Sequence, residues 1–427
     1  MDCPLGVAVA AAEARNDREK ARARPLRNAA AMLRTNACRS LLLAVPLLVA
    51  CGDASGTGGG TGGGGDGGAG ATGAQSGATS GSGSAAQGTG SSSSGSGGEN
   101  AGLVPVFVAQ GHFGRLMVSC DDGQTWVHNQ SADDTAECWS ENNLPDCDHS
   151  PWAGRGLAFG NGAFVSTFGW GSPGVMRRSV DGGTWEDVWV EPPTFADIAF
   201  GQGVFVANAS PTSISTDGAT WQDGGDLGLN VGNVRAIEFV PHDGGLFIVT
   251  GESGDNRDIV LSPDGIAWHH PTTRPNECGS YVINVAYGAG TIAIFSGHGT
   301  VCTSTDGGDT WTLRDVAGSL SSPGVWTGSE FFVYDGATLH RSPDAVTWTA
   351  QPIEPPNIRI GAMARSDAGT FVATRGGWQV WYDGQEMYRS TDGVTWQVLP
   401  AGAFVPSHPI NFIEAGFVEP SSVCPAP

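Results

Sequence analysis

Lysine is all but absent from this chain. Of 427 residues only Lys20 is one, and charged side chains of every kind reach just 15 %. Beyond the first fifty residues, 13 arginines face 39 carboxylates, a balance of −26 against −22 for the whole chain. A stretch so acidic repels phosphate backbones, which makes nucleic acid a poor partner; the charge reads as solubility in an exposed compartment. Long apolar runs are missing too: Leu41-Leu-Leu-Ala-Val-Pro-Leu-Leu-Val-Ala50 is too short to span a bilayer by itself. No helical periodicity is found after residue 103. There is no Asp-x-Asp-x-Asp-Gly loop, no cysteine pair of zinc-site spacing beside histidines, no Ser-His-Asp arrangement and no phosphate loop. No metal and no cofactor is therefore expected.

Arg34 and Arg39 precede the apolar run, which ends at Cys51-Gly52, the basic, apolar, small-residue order of a secretory signal. Leu48-Val49-Ala50-Cys51 resembles a bacterial lipobox, in which the cysteine is lipidated and becomes the mature first residue. Residues 1 to 31 lie in front of that signal, so either translation begins at Met32 or the basic region is unusually long. Residues 52 to 100 are almost wholly Gly, Ser, Ala and Thr. Such a stretch cannot offset its ordering entropy and reads as a flexible tether, with a span of roughly 40 Å. The expected divisions are 1–31, a signal peptide at 32–50, a lipidated tether at 51–102 and a folded domain at 103–427.

Cysteine use fits export. Cys3 and Cys38 precede the cleavage point and Cys51 is the lipid site, which leaves six cysteines in the domain. Six allow fifteen pairings. Position in the repeat described next favours Cys138–Cys147 within one loop, Cys278–Cys302 within one repeat, and Cys120–Cys424 between the first repeat and the tail.

One short phrase recurs seven times. Its Asp and Trp are Asp121 and Trp126, Asp181 and Trp185, Asp217 and Trp221, Asp264 and Trp268, Asp306 and Trp311, Asp344 and Trp348, and Asp392 and Trp396. Each copy opens on a Ser two residues before the Asp, and successive tryptophans lie 59, 36, 47, 43, 37 and 48 residues apart. That period marks stacked units that cannot bury their apolar faces alone. Before most copies runs an apolar strand, a Gly turn and a second strand, as in Ile198-Ala-Phe-Gly-Gln-Gly-Val-Phe-Val206. With a strand into the box and one out of it, each unit holds four short strands, the pattern of a β-propeller. The first unit lacks its opening strand, and Ile410-Asn-Phe-Ile-Glu-Ala-Gly-Phe-Val418 supplies that pattern with no box after it. The expectation is an all-β, seven-bladed propeller whose first blade is completed by a C-terminal strand.

The phrase resembles the Asp-box, or BNR, repeat of sialidases, sortilin-type receptors, xyloglucanases and photosystem II assembly factors. The resemblance covers the whole folded domain. It implies that the boxes sit on the turn between third and fourth strands, at the blade periphery and away from the ligand face, with structural roles. It does not extend to sialidase chemistry: Arg-Ile-Pro is missing, and Arg359-Ile360-Gly361 is the nearest string. Arg178, Arg341 and Arg389 precede box serines, which places them on outer third strands.

A ligand would meet the opposite face, where His112, Trp170, His298, Arg375, Trp378, Trp381 and Tyr382 fall in loops. The tryptophans there are suited to stacking on sugars or to taking a partner's apolar side chain. Isolated carboxylates such as Glu238 and Glu330 are indistinguishable from surface residues in the sequence. No catalytic set emerges. The reading is a monomeric, non-catalytic binding or scaffolding propeller, lipid-anchored in the cell envelope on the periplasmic or outer side, whose partner is an envelope protein or polysaccharide. The alternative is a glycan-binding or glycan-active propeller using the aromatic loops.

Overall fold

The computed structural model describes residues 100–130, 153–169, 174–191, 195–208, 211–229, 233–253, 256–375, 386–405 and 410–426. Seven antiparallel sheets follow one another along the chain, each built from short strands rich in Val, Ile and Phe. Their innermost strands are Ile410–Val418, Ala153–Gly160, Asp197–Gly201, Asn233–Val240, Val282–Gly288, Val325–Trp326 and Met363–Arg365, for blades 1 to 7. Six sheets have four strands. In blade 4 three strands are regular, and the fourth is reduced to a single bridge between Leu261 and His269.

The ring closes as the repeat count requires. Strand Ile410–Val418 pairs antiparallel with Val104–Gly111, from Val104 opposite Val418 to Gly111 opposite Ile410. A disulfide joins Cys120 to Cys424 beside this seam, with Cα atoms 5.5 Å apart. A second joins Cys278 to Cys302. The Cys138–Cys147 pairing falls outside the described residues.

Apolar residues fill both faces of each sheet, because alternate side chains of a strand point to opposite sides. In blade 3, Ile198 packs toward blade 2 while Ala199 packs toward blade 4. Seven buried clusters result, one between each pair of neighbouring blades, including the seam between blades 7 and 1. The Gly turn expected between the first two strands is present, and the Gly of the Ala-Phe-Gly phrase lies just before it. The turns themselves are Asn161-Gly162 and Gln202-Gly203, both residues of each at positive φ, which suits a tight hairpin. Gly160 and Gly201 instead end their strands, and a Cβ there would lie 2.2 Å from Phe200 and 2.1 Å from Phe239. Each is a socket for the next blade's aromatic ring.

Candidate functional site

Two ends of the ring differ in what their polar groups do. At one end lie the seven boxes, on the turns between third and fourth strands. In blade 3 the Ser215 hydroxyl donates to Asp217 Oδ1 at 2.9 Å, and the same oxygen accepts the amides of Ala219 and Thr220 at 2.8 and 2.7 Å. These amide bonds pull the Asp217 carboxyl down to about 2, the Thr220 amide contributing most. The indole of Trp221 donates to Gly218 O at 3.1 Å. The same Ser-to-Asp bond recurs in the other six boxes. Arginines latch neighbours together: Arg178 Nε donates to Asp217 O at 2.8 Å, and Arg389 Nε to Asp122 O at 2.7 Å across the seam. The Ser and Asp groups of the boxes thus close upon themselves and the adjoining blade, as do four of the seven indoles; the buried indole N–H groups of Trp126, Trp268 and Trp311 have no acceptor among the described residues.

At the other end the innermost strands begin, and there the register slips at Asn411, Arg155, Arg235 and Ile283 of blades 1, 2, 4 and 5. Such bulges re-aim a side chain. Asn411 and Ile283 line a cavity of about 40 Å³ in the channel, together with Asp197, Glu238, Asn284, Ser321, Pro323 and Met363. That space suits a few water molecules, far below the roughly 300–1,000 Å³ of a drug-sized ligand pocket.

The charged groups around this cavity are buried. Glu414, Arg155, Asp197 and Glu238, one from each innermost strand of blades 1 to 4, are 2, 3, 9 and 5 % exposed. Asp197 accepts the Ile198 amide at 2.9 Å and the Ile237 amide at 3.1 Å, yet burial outweighs these and Arg155, raising its carboxyl to about 7. Burial likewise lowers Arg155 to about 10 against the pull of Asp197. Glu414 is raised well above the ordinary range, first by burial and then by the like charge of Glu238. Asn284 donates to Gly324 O at 2.9 Å and accepts the Gly324 amide at 2.8 Å, so both ends of its amide are used.

Of the loop residues singled out in the sequence, His112, His298 and Arg375 come from turns between second and third strands at this same end. His112 is buried, with Asn411 Nδ2 3.0 Å from its ring nitrogen. His298 is exposed and tilts against Tyr281, ring centres 5.1 Å apart. Arg375 is exposed and 3.7 Å from the Glu386 carboxylate. Cys51, Trp170, Trp378, Trp381 and Tyr382 lie outside the described residues. Glu238 is a buried channel residue, which its sequence setting did not reveal. Asp197, Arg155 and Glu414 passed unnoticed as well, although a charge inside an otherwise apolar strand was the signal. Among the described residues no helix is long and apolar enough to cross a membrane, and no group of three His, Cys, Asp or Glu is placed to hold a metal.

The fold defines the class: an all-β, seven-bladed β-propeller. No family model matches the chain, and no curated protein matches it. Among solved structures it is similar to YCF48 bound to a D1 peptide, at 16 % identity over 66 % of this chain and 84 % of that one, with a TM-score of 0.43. It is similar also to virginiamycin B lyase from Staphylococcus aureus, at 15 % identity over 62 % and 91 %, TM-score 0.47. A streptogramin B lyase gives 14 %, 66 %, 97 % and 0.47. The likeness ends at the fold.

Proposed function

We propose that the chain is an exported lipoprotein of the Asp-box repeat class, and that its propeller serves as a non-catalytic binding scaffold in the cell envelope. Binding takes place on the face opposite the boxes. The observation that supports this most is the contrast between the two ends: the boxes bond to themselves and to adjoining blades, while side chains of six blades converge on the channel mouth. The signal, Cys51 and tether of the sequence supply the anchor and reach.

Photo-crosslinking in cells tests the face. A crosslinker at His298 should capture a defined envelope protein, and one at Val180, exposed within a box, should not. Equal capture from both, or capture only from Val180, defeats the reading. Mass spectrometry of the mature protein should find a lipidated Cys51; an unmodified amino terminus elsewhere removes the anchor. A glycan array covers the other ligand class. Sugar binding lost in a Trp378→Ala, Trp381→Ala double variant would replace the protein partner with a polysaccharide.

A further inference from the structure

The hairpins that join first and second strands lie at the box end, and in two of them a side-chain amide reaches the next blade. Asn161 Nδ2 donates to Thr216 O at 2.8 Å and to Gly203 O at 3.0 Å, both on blade 3. Thr216 stands between Ser215 and Asp217 of that blade's box. Both partners are carbonyl oxygens, so only the NH2 end of the amide can meet them, which settles its orientation. At the matching position of blade 3, Gln202 Nε2 donates to Gly244 O of blade 4 at 2.8 Å. Each amide is thus a staple between neighbouring blades. A carboxylate, with no hydrogen to donate, could not replace it.

Asn161 differs from Gln202 in how readily its amide can be lost. It precedes Gly162 in the one Asn-Gly pair of the 427 residues. The backbone nitrogen after an asparagine can attack the side-chain carbonyl, because the product is an unstrained five-membered imide. A following glycine favours the attack, having no Cβ to obstruct it. Glutamine needs a six-membered ring and reacts far more slowly. Both residues of the Asn161-Gly162 turn are exposed, and a Cβ placed on Gly162 would meet no atom within 4 Å, so the attacking nitrogen is unobstructed. Asparagine is accordingly among the residues that limit a protein's lifetime. The two staple bonds oppose the reaction, since the side chain must leave blade 3 before Cγ can reach the Gly162 nitrogen.

We propose that Asn161 is a site of self-modification, at which ring closure onto Gly162 permanently removes the staple between blades 2 and 3. The Gly162 nitrogen bonds to Asn161 Cγ, the Cγ–Nδ2 bond breaks, and Nδ2 departs as ammonia with the proton that the Gly162 nitrogen gives up. Water then opens the imide at either carbonyl, leaving aspartate or its β-linked isomer. The sum is amide plus water to acid plus ammonia, with nothing oxidised or reduced. The new carboxylate faces the Gly203 and Thr216 carbonyls with no hydrogen between them, and the β-linked form also lengthens a two-residue turn. Arg178, whose Nε donates to Asp217 O at 2.8 Å, keeps the two blades in contact afterwards. Local opening of the hairpin sets the rate, and the product prevents its return to the stapled state. The reaction is independent of the binding face proposed above, which lies at the other end of the ring.

The test incubates the full chain at pH 8.5 and 37 °C and follows residues 161 and 202 by peptide mass spectrometry, with a urea-unfolded sample alongside. In the folded chain acid should accumulate at 161, as aspartate and its β-linked isomer, at a rate roughly tenfold or more below that of the unfolded sample. Gln202 should remain an amide. Asn161→Asp should lower the melting temperature by about 2–3 °C. Modified wild-type protein, separated by ion exchange, should melt lower in the same way, which keeps the test valid if Asn161→Asp does not fold. An Asn161 left intact in the folded chain while the unfolded sample reacts overturns the proposal. Equal rates in the two samples overturn it as well, since the staple then restrains nothing. Melting unchanged in both the variant and the modified protein overturns the assigned consequence, leaving the amide without a role in holding the blades.

Discussion

The carboxylates of the boxes and those of the channel are the same chemical group put to opposite conditions. Asp217 at the rim sits in a nest of amides that favours its charged form, and its pKa falls to about 2. Asp197 accepts two amides as well, yet its burial wins and its pKa rises to about 7. The difference lies in solvent. At the rim water shares the charge, so each amide bond adds to it; in the channel the desolvation of the anion exceeds what two amides and Arg155 return. The rim stores stability in ionised groups, and the channel carries groups whose ionisation is unfavourable.

Removing residues 409 to 427 should have the largest effect. It leaves all seven boxes intact and strips the channel of the strand Ile410–Val418 and of Cys424. We expect the cooperative melting transition to be lost. An unchanged melting temperature would mean that the boxes, not ring closure, hold the domain together.

Next in size is Asp217→Ala, which takes the acceptor from Ser215, Ala219 and Thr220. It should destabilise by about 1 kcal/mol at pH 7, the scale of a charged acceptor lost at an exposed turn after solvent screening. Denaturant titration should find that difference gone near pH 2, where the wild-type carboxyl takes up its proton. A cost that is the same at both pH values would break the comparison at the rim.

The smallest effect sharpens the channel side. A carboxyl whose folded pKa is lowered stabilises above its unfolded value of about 3.9 and loses that contribution as pH falls toward about 2. One whose folded pKa is raised acts in the other sense. For Asp197 the stability is full below about 4 and declines as pH rises to about 7, and Glu414 adds to the decline. The propeller should therefore be most stable in mild acid. Glu414→Gln should flatten the loss between pH 5 and pH 8, measured by urea unfolding at each pH. A variant with the wild-type slope would show that Glu414 is not protonated in the folded ring.

The rim was legible in the sequence because its logic is local. Ser, Asp, Gly and Trp within seven or eight residues make their bonds to one another, so the motif carries its own structure. The closing strand could be read too, since Ile410–Val418 repeats the apolar pattern that the first unit lacks. The channel was not legible. Glu238 and Glu414 lie on different blades and come near each other only once the ring exists; a charge inside an apolar strand marks each, but not what it meets. Gly160 shows the same limit: its constraint is the Phe200 ring of the following blade, while the local turn belongs to Asn161 and Gly162. The weak fourth strand of blade 4 coincides with a departure in the sequence, for its box has Ala267 before Trp268 where each of the other six has Thr before the Trp.

The pairing of Val104 with Val418 also sets a timetable. Every other blade draws its strands from one continuous stretch, so six can assemble as the chain emerges, whereas the earliest must wait for the last segment to be delivered. Until then Val104–Gly111 presents an unpaired apolar edge, a ready template for another molecule in the same state. Folding of the ring thus ends on its most hazardous moment, and a helper that shields the edge until residue 418 arrives would act there.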